Sequence, residues 1–398
     1  MQQTDQPLSD IRVLDFTRVI AGPFATALLA DLGADVIKIE SEEGDDSRHF
    51  APRVGEDGAL FMLLNRGKRS VTLDLKSELA RTIVQDIVKR CDVVVENFRP
   101  GVAARLGIDY ATLADVNHRL VYASISGFGQ TGSRADLPAY DNVAQAVSGF
   151  MSINGWPDGP PTRAGESLAD VAAGLYAVCS ILAALHERAR TGTGQYIDVA
   201  MVDSLLSLLV TAVSTYLFSG TIPGRCGNAN PVSAPMDSYR AKDGHLIIAV
   251  ANDAMFARLC LAMGHPDVPA DPRFATDPSR KANEDALRVV IEEWTEHWTV
   301  AEAVARLEAA AVPAAPILTV DQAIESARAA GRALVAEVVH PKLGVIPMIH
   351  QPTLFSAHPD MPIGSPPVLG EHTAEVLSEF LNDGTDRTAV PGESQAGQ

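Results

Sequence analysis

Short β-branched apolar runs alternate with stretches of helical period through the N-terminal third of the chain. IRVLDF (Ile11–Phe16) reads as a buried strand, AGPFATALLADLGA (Ala21–Ala34) as a helix with Pro23 in its first turn, and DVIKIE (Asp35–Glu40) as a second strand. SVTLDL (Ser70–Leu75), the amphipathic ELARTIVQDIVKRC (Glu78–Cys91) and DVVVENF (Asp92–Phe98) repeat the strand–helix–strand unit, and LVYASISGF (Leu120–Phe128) adds a further strand. This alternation predicts an α/β fold with a mostly parallel, Rossmann-like sheet covered by helices on both faces. Ligands of such sheets sit at the carboxyl ends of the strands.

Asp170–Arg188 and Val202–Ser219 read as long apolar helices joined through TGTGQYIDVAM. The most apolar segment, Leu205–Phe218, is interrupted by Ser207, Thr211, Ser214 and Thr215 and is shorter than the ~20 apolar residues of a membrane span, so it reads as a buried helix. Composition then shifts. GRCGNANPVSAP (Gly224–Pro235) is a Gly/Asn/Pro connection, and HLIIAV (His245–Val250) with two amphipathic helices (Asn283–His297, Val300–Ala310) predicts a smaller second domain. PAAPIL (Pro313–Leu318) leads back to the first domain, Ala336 onward forms a hairpin turning at Lys342–Gly344, and Glu371–Leu381 is a closing helix. The expected borders are 1–225 and 329–384 for the large domain, 226–328 for the small one, and 385–398 for a disordered tail.

The length, 398 residues, suits two or three domains, and the formal net charge of −18 argues against nucleic acid or anionic membrane as partner. Cys91, Cys179, Cys226 and Cys260 are scattered, with neither disulfide nor zinc spacing, so no metal site is expected and a reducing compartment fits. The N-terminus MQQTDQPLSD has no secretory pattern, which points to the cytoplasm.

Gly127-Phe-Gly129-Gln-Thr-Gly132 matches G-x-G-x-x-G after a strand, but SRADLPAYDN follows it, with Pro138 and no helical period. It reads as a glycine-rich loop, because a dinucleotide site needs a helix to start there. A G-x-S-x-G elbow is absent, so serine hydrolysis is unsupported. Asp170, in SLAD ahead of an apolar helix, admits two readings. It is an N-cap, or an accessible carboxylate held ionised at a helix N-terminus, with Ala169, Ala172, Ala173 and Gly174 leaving room for a bulky ligand.

The blocks VLDFTRVIAGPFATALLADLGADVIKIE, LNRGKRSVTLDLK, VVVENFRPGVAARLGID, YASISGFGQTG, AYDNVAQAVSGFM, SLADVAAGLYAV, TGTGQYIDVAM and PPVLGEHTAEVL resemble, in order, those of the family III CoA-transferases, which include formyl-CoA transferase. The resemblance implies a large domain built from both chain ends, a smaller inserted domain, and a homodimer of interlocked rings. It implies an enzyme that moves CoA from an acyl-CoA, with succinyl-CoA as a donor to test, to a small carboxylic or dicarboxylic acid. Asp170 then carries aspartyl-anhydride and aspartyl-CoA thioester intermediates. CoA is a substrate here, and no tightly bound cofactor is expected.

The positions matching the family's CoA contacts are Ile20, Ala21, Leu73, Asp74, Leu75, Lys76, Asn97, Phe98, Arg99, Arg105, Pro138, Ala139, Tyr140 and Asp141. Lys76 and Arg105 suit phosphate, and surface charge is their plain reading. Tyr140 packs on CoA or orients the acyl group, or is simply a buried turn tyrosine. Ile20 replaces a glutamine of formyl-CoA transferase, Ser41 replaces an arginine, and AVANDAMF (Ala249–Phe256) lacks its glycine run. GRCGNANP looks like the loop of relatives acting on larger dicarboxylic acids, with Arg225 a candidate partner for a distal carboxylate. The family also contains an α-methylacyl-CoA racemase, whose histidine is replaced here by Tyr140; a tyrosine pKa of about 10 suits α-proton exchange less well than histidine's ~6.5. Racemase or epimerase, and a non-catalytic CoA-binding protein, are the alternatives.

Overall fold

The apolar runs become one six-stranded sheet in a computed structural model that describes residues 6–332 and 334–381. The strands are β1 (Arg12–Asp15), β2 (Asp35–Glu40), β3 (Lys68–Thr72), β4 (Val93–Glu96), β5 (Val121–Ser126) and β6 (Tyr196–Ala200). Their spatial order is β3-β2-β1-β4-β5-β6, and every neighbouring pair is parallel. The chain leaves β1 toward one edge and β4 toward the other. A crevice therefore opens at the carboxyl ends of these two central strands.

Helices cover both faces. On one, α1 (Ala21–Asp31), α4 (Leu168–Thr191) and α5 (Met201–Leu208) bury Ala25, Leu29, Ala173, Ala177, Ile181 and Leu205 against Val13, Val93, Val95 and Ile125. On the other, α2 (Glu78–Val88), capped by the Ser77 side chain, and the final helix Thr373–Leu381 bury Ile83, Val84, Ile87, Val376 and Phe380 against Leu14, Ile37, Val94 and Tyr122. Each of the valine, leucine, isoleucine and phenylalanine side chains among them contributes roughly 1.5–3 kcal/mol. Both ends of the chain thus build this sheet's core.

The small residues of α4 serve packing. Ala169, Ala172, Ala173 and Gly174 are buried against protein, and a Cβ at Gly174 would sit 2.8 Å from the Ala21 carbonyl oxygen and 2.8 Å from the Phe24 ring. Gly174 lets α1 come this close. By length and composition α4 could cross a membrane, but here it is the central helix of this core.

Two further expectations are corrected. The helix read across Val202–Ser219 breaks at Leu209 into α5 and Val210–Ser219, bent by 76°. The second piece buries none of its residues, with Leu217 66% and Phe218 89% exposed, because nothing among the described residues covers its apolar side. Pro313–Leu318 does not lead back to the first domain either: Ala314–Pro316 is an edge strand of a separate three-stranded antiparallel sheet with Met236–Ala241 and Gly244–Ala249.

That sheet belongs to the second of two compact units. Among the described residues, 6–150, 164–217 and 334–381 form the first, and 151–163 and 218–332 the second. The second unit has its own core of Tyr239, Leu246, Ile248, Phe256, Leu259, Ile291 and Leu307, with helices Asp253–Ala262, Glu284–Thr295 and Val300–Ala309. The expected tail, 385–398, lies outside the described residues.

Candidate active site

The crevice holds a cavity of about 550 Å³ lined by the segments that follow four strands. Phe16, Thr17 and Arg18 come after β1, Ser41 to Asp45 after β2, Leu73 to Lys76 after β3, and Phe98 after β4. Leu73, Asp74, Leu75, Lys76 and Phe98 are thus brought together on one cavity wall. The wall is apolar at Phe16, Ile39, Leu73, Leu75, Phe98 and Leu106, and acidic at Glu42, Glu43 and Asp74. Of its cations, Lys38 pairs with Asp45 and Arg18 with Asp46; Lys76 makes no ion pair among the described residues.

The floor of the crevice is a buried charge network that the sequence reading missed. Lys38 Nζ donates to the Thr17 carbonyl (2.7 Å) and Asp45 Oδ2 (2.9 Å), and Lys68 Nζ donates to Asp15 Oδ2 (3.0 Å), Asn65 Oδ1 (2.8 Å) and the Pro23 carbonyl (3.1 Å). Arg48 grips Glu40 with two 2.8 Å bonds. Burial works against the charge of Asp45, yet Lys38 and Ser47 hold its carboxyl well below the usual range. Burial pushes Lys68 down to about 8 in spite of Asp15. The readable signal was DVIKIE itself, since charges at Lys38 and Glu40 are out of place in a strand whose burial is continuous.

This network fixes the loop between β1 and α1. Asp45 accepts from the Val19 N–H (3.2 Å), and Val19 has φ +68°, a conformation costly for a β-branched residue. Asn97 clamps the other side, accepting from the Arg18 N–H and donating to the Arg18 carbonyl, both at 2.8 Å. Asn97 therefore shapes the loop rather than lining the cavity. Ile20 and Ala21 stand where this loop becomes α1. Glu96, which sequence reading also passed over, accepts from the Phe98 N–H (2.7 Å) and so ties the next segment down. Burial raises the Glu96 carboxyl to about 7, against the pull of Ser124 and Phe98.

Asp170 is the third residue of α4 and not its N-cap; Ser167 holds that place, without a side-chain cap. The cap comes from another helix, α3 (Asp141–Val147), whose Asp141 Oδ1 accepts from the Ala169 N–H at 2.8 Å. The Asp170 carboxyl is partly exposed and accepts no hydrogen bond among the described residues. Burial, and then the Asp141 charge, raise it to about 7. Burial and the like charge of Asp141 both disfavour its anion, against the ionised state that the sequence suggested.

The remaining positions lie apart from the cavity lining. Arg99 and Arg105 are exposed, Pro138 is exposed, Ala139 is half-buried, and Tyr140 is 75% exposed at the start of α3, which rules out a buried turn tyrosine. The Asp141 side chain is buried. Gly127–Gly132 forms a loop with no helix behind it, and a Cβ at Gly127 would collide with Ala139 at 2.3 Å, so the glycine lets the Pro138–Asp141 segment approach. Arg225 is engaged within its own unit, donating to the carbonyls of Trp156 (3.1 Å), Pro157 (3.1 Å) and Gly159 (2.6 Å). Its guanidinium braces a loop in place of the proposed ligand carboxylate.

A sequence profile described as CoA-transferase family III matches residues 8–373. The chain is 42% identical to acetyl-CoA:oxalate CoA-transferase of Acetobacter aceti, over 94% of this chain and 96% of that one. It is 41% identical to succinate–glutarate CoA-transferase of Agrobacterium fabrum, over 98% and 99%. It is also 41% identical to succinyl-CoA:mesaconate CoA-transferase of Haloarcula hispanica, over 96% and 98%. Among solved structures, a CAIB/BAIF family protein from Brucella suis superposes with a TM-score of 0.83 at 38% identity, covering 94% of this chain and 100% of that one. With the crevice and the SLAD carboxyl in place, these matches over nearly the full length show that the chain belongs to family III of the CoA-transferases and is an enzyme of that class.

Proposed function

We propose that the enzyme moves CoA from an acyl-CoA such as succinyl-CoA to a small dicarboxylic acid, with Asp170 as the nucleophile. The acids named for the relatives, oxalate, glutarate and mesaconate, support a dicarboxylic acceptor. The observation that carries the reading is the Asp170 carboxyl itself, partly exposed, without a hydrogen bond among the described residues, and disfavoured as an anion by burial and by Asp141. A carboxylate that accepts no bond keeps its lone pairs for attack. Its acylated forms are neutral, so acylation removes the charge that the surroundings oppose.

In the proposed sequence an Asp170 oxygen attacks the thioester carbon, the C–S bond breaks, and CoA leaves as thiolate. The thiolate attacks the aspartyl carbonyl of the mixed anhydride, the donor acid leaves as carboxylate, and an aspartyl-CoA thioester remains. The acceptor carboxylate attacks that carbonyl and expels thiolate, giving a second anhydride. Thiolate then takes the acceptor acyl group and frees Asp170. No step needs an external proton. The Leu73–Lys76 and Phe98 wall would hold the nucleotide end of CoA, with Lys76 on a phosphate. Two interlocked copies in the cytoplasm complete the proposal, supported by the uncovered apolar side of Val210–Ser219.

Incubation with succinyl-CoA followed by hydroxylamine should convert Asp170 to a hydroxamate, seen by peptide mass spectrometry, and inactivate the enzyme. Asp170→Ala should lose exchange by at least ~1000-fold. Full exchange in that variant overturns the assignment, and deuterium uptake at the α-carbon without an acid acceptor turns the reading to a racemase.

A further inference from the structure

Gln145 is fully buried one turn after Asp141 on α3, and each of its amide atoms is used. Oε1 accepts from the Ala164 N–H at 2.8 Å, while Nε2 donates to the Glu166 carbonyl at 3.1 Å and to Asp141 Oδ2 at 2.5 Å. These partners dictate the amide orientation, because the flipped group would set oxygen against oxygen and donor against donor. Asp141 Oδ1 then caps the Ala169 N–H, next to Asp170. A single side chain thus fastens the segment that leads into α4 and the carboxylate that caps it.

The arrangement exceeds what a helix end requires. An oxygen on Ser167 could have capped α4 locally, yet that side chain caps nothing. The cap comes from α3 instead, so the first turn of α4 is registered against a neighbouring helix, and the charge of Asp141 stands beside Asp170. Resting on the reading of Asp170 as nucleophile, we infer that Gln145 is a positioning residue that fixes where the Asp170 carboxyl sits and where the Asp141 carboxylate stands beside it, by holding Asp141 and the 164–166 segment in one network.

Charged groups on the elements packed against α4 are Asp141 on α3, Asp31 on α1, Asp203 on α5 and Asp198 on β6. Of these, Asp141 acts on Asp170. Because Gln145 is neutral and donates to Asp141, it ties that carboxyl in place without adding a second negative charge beside the nucleophile.

The test compares pH profiles of succinyl-CoA exchange for Gln145→Glu, Gln145→Leu, Asp170→Asn and the double variant Asp141→Asn/Gln145→Glu. In the double variant the amide introduced at position 141 still accepts from Ala169 and donates to the carboxylate introduced at position 145, which still accepts from Ala164. All of the network but the bond to the Glu166 carbonyl survives, with donor and acceptor exchanged and the charge moved one turn along α3. Gln145→Glu should move the acid limb of kcat up by about one pH unit and lower kcat at pH 7 about tenfold, with KM for succinyl-CoA within twofold. The double variant should recover kcat to within about threefold and bring the acid limb to or below its wild-type position. Exchange retained in Asp170→Asn overturns the nucleophile reading. If Asp170→Asn is dead while both single Gln145 variants keep the wild-type profile, this inference alone falls. A double variant that recovers nothing, folded or not, also overturns it.

Discussion

As the proposed nucleophile, Asp170 is held between two opposed requirements. Attack needs its anion, while burial and Asp141 raise its pKa to about 7 from 3.8. A carboxyl whose folded pKa is raised binds protons more tightly folded than unfolded. Its penalty is therefore absent below about pH 4, grows as pH rises to about 7, and is complete above that. Asp170→Asn should stabilise the protein by about 1–3 kcal/mol at pH 8 and by nothing near pH 4. Melting temperatures of the two proteins at both pH values check this, and equal values at pH 8 would count against a penalised anion. The SLAD block made Asp170 visible in the sequence, but its surroundings were not. The Asp141–Ala169 bond spans 28 residues and joins two helices, so no local pattern announces it. Gln145 and Glu96 likewise look ordinary until the fold brings their partners to them. Val19 gave no sign because its strain depends on Asp45, across the loop.

Helices and strands were easier to read, because period 2 and period 3.6 leave local traces. Asp35–Glu40 is the strand its apolar run predicted, and the hairpin turns as expected between Val335–His340 and Gly344–Ile349. Leu73–Leu75 had the look of a strand end, yet β3 stops at Thr72 and those residues line the cavity; an apolar cavity wall and an apolar core have the same letters. The strand Met236–Ala241 passed unread, since MDSYRA has little β-branched content. Gly174 shows how tightly α1 and α4 are joined. Gly174→Ala should push them apart at Ala21 and Phe24, costing about 1–3 kcal/mol. Asp170 lies one turn away, so kcat should fall with stability; a variant that keeps its melting temperature would show the contact to be slack.

Across the whole molecule, a net charge of −18 surrounds a cavity in which Lys76 is the cation without an ion pair among the described residues. On the proposed function, binding of a phosphate-bearing substrate should depend on Lys76 more than on any general field. Lys76→Ala should raise KM for acyl-CoA about 5–50-fold with kcat within twofold, and flatten the rise of KM with salt. Unchanged KM would remove Lys76 from the binding wall. The division into units has a consequence during synthesis. The first unit is drawn from three stretches of chain, and its sheet face over Leu14, Ile37 and Val94, covered in part by α2, is fully covered only when Val376 and Phe380 arrive. The second unit is complete by residue 332. Translation therefore lets the inserted body fold while the body begun earlier still waits on the ribosome with an oily flank open, and that flank is where a nascent-chain chaperone has something to hold.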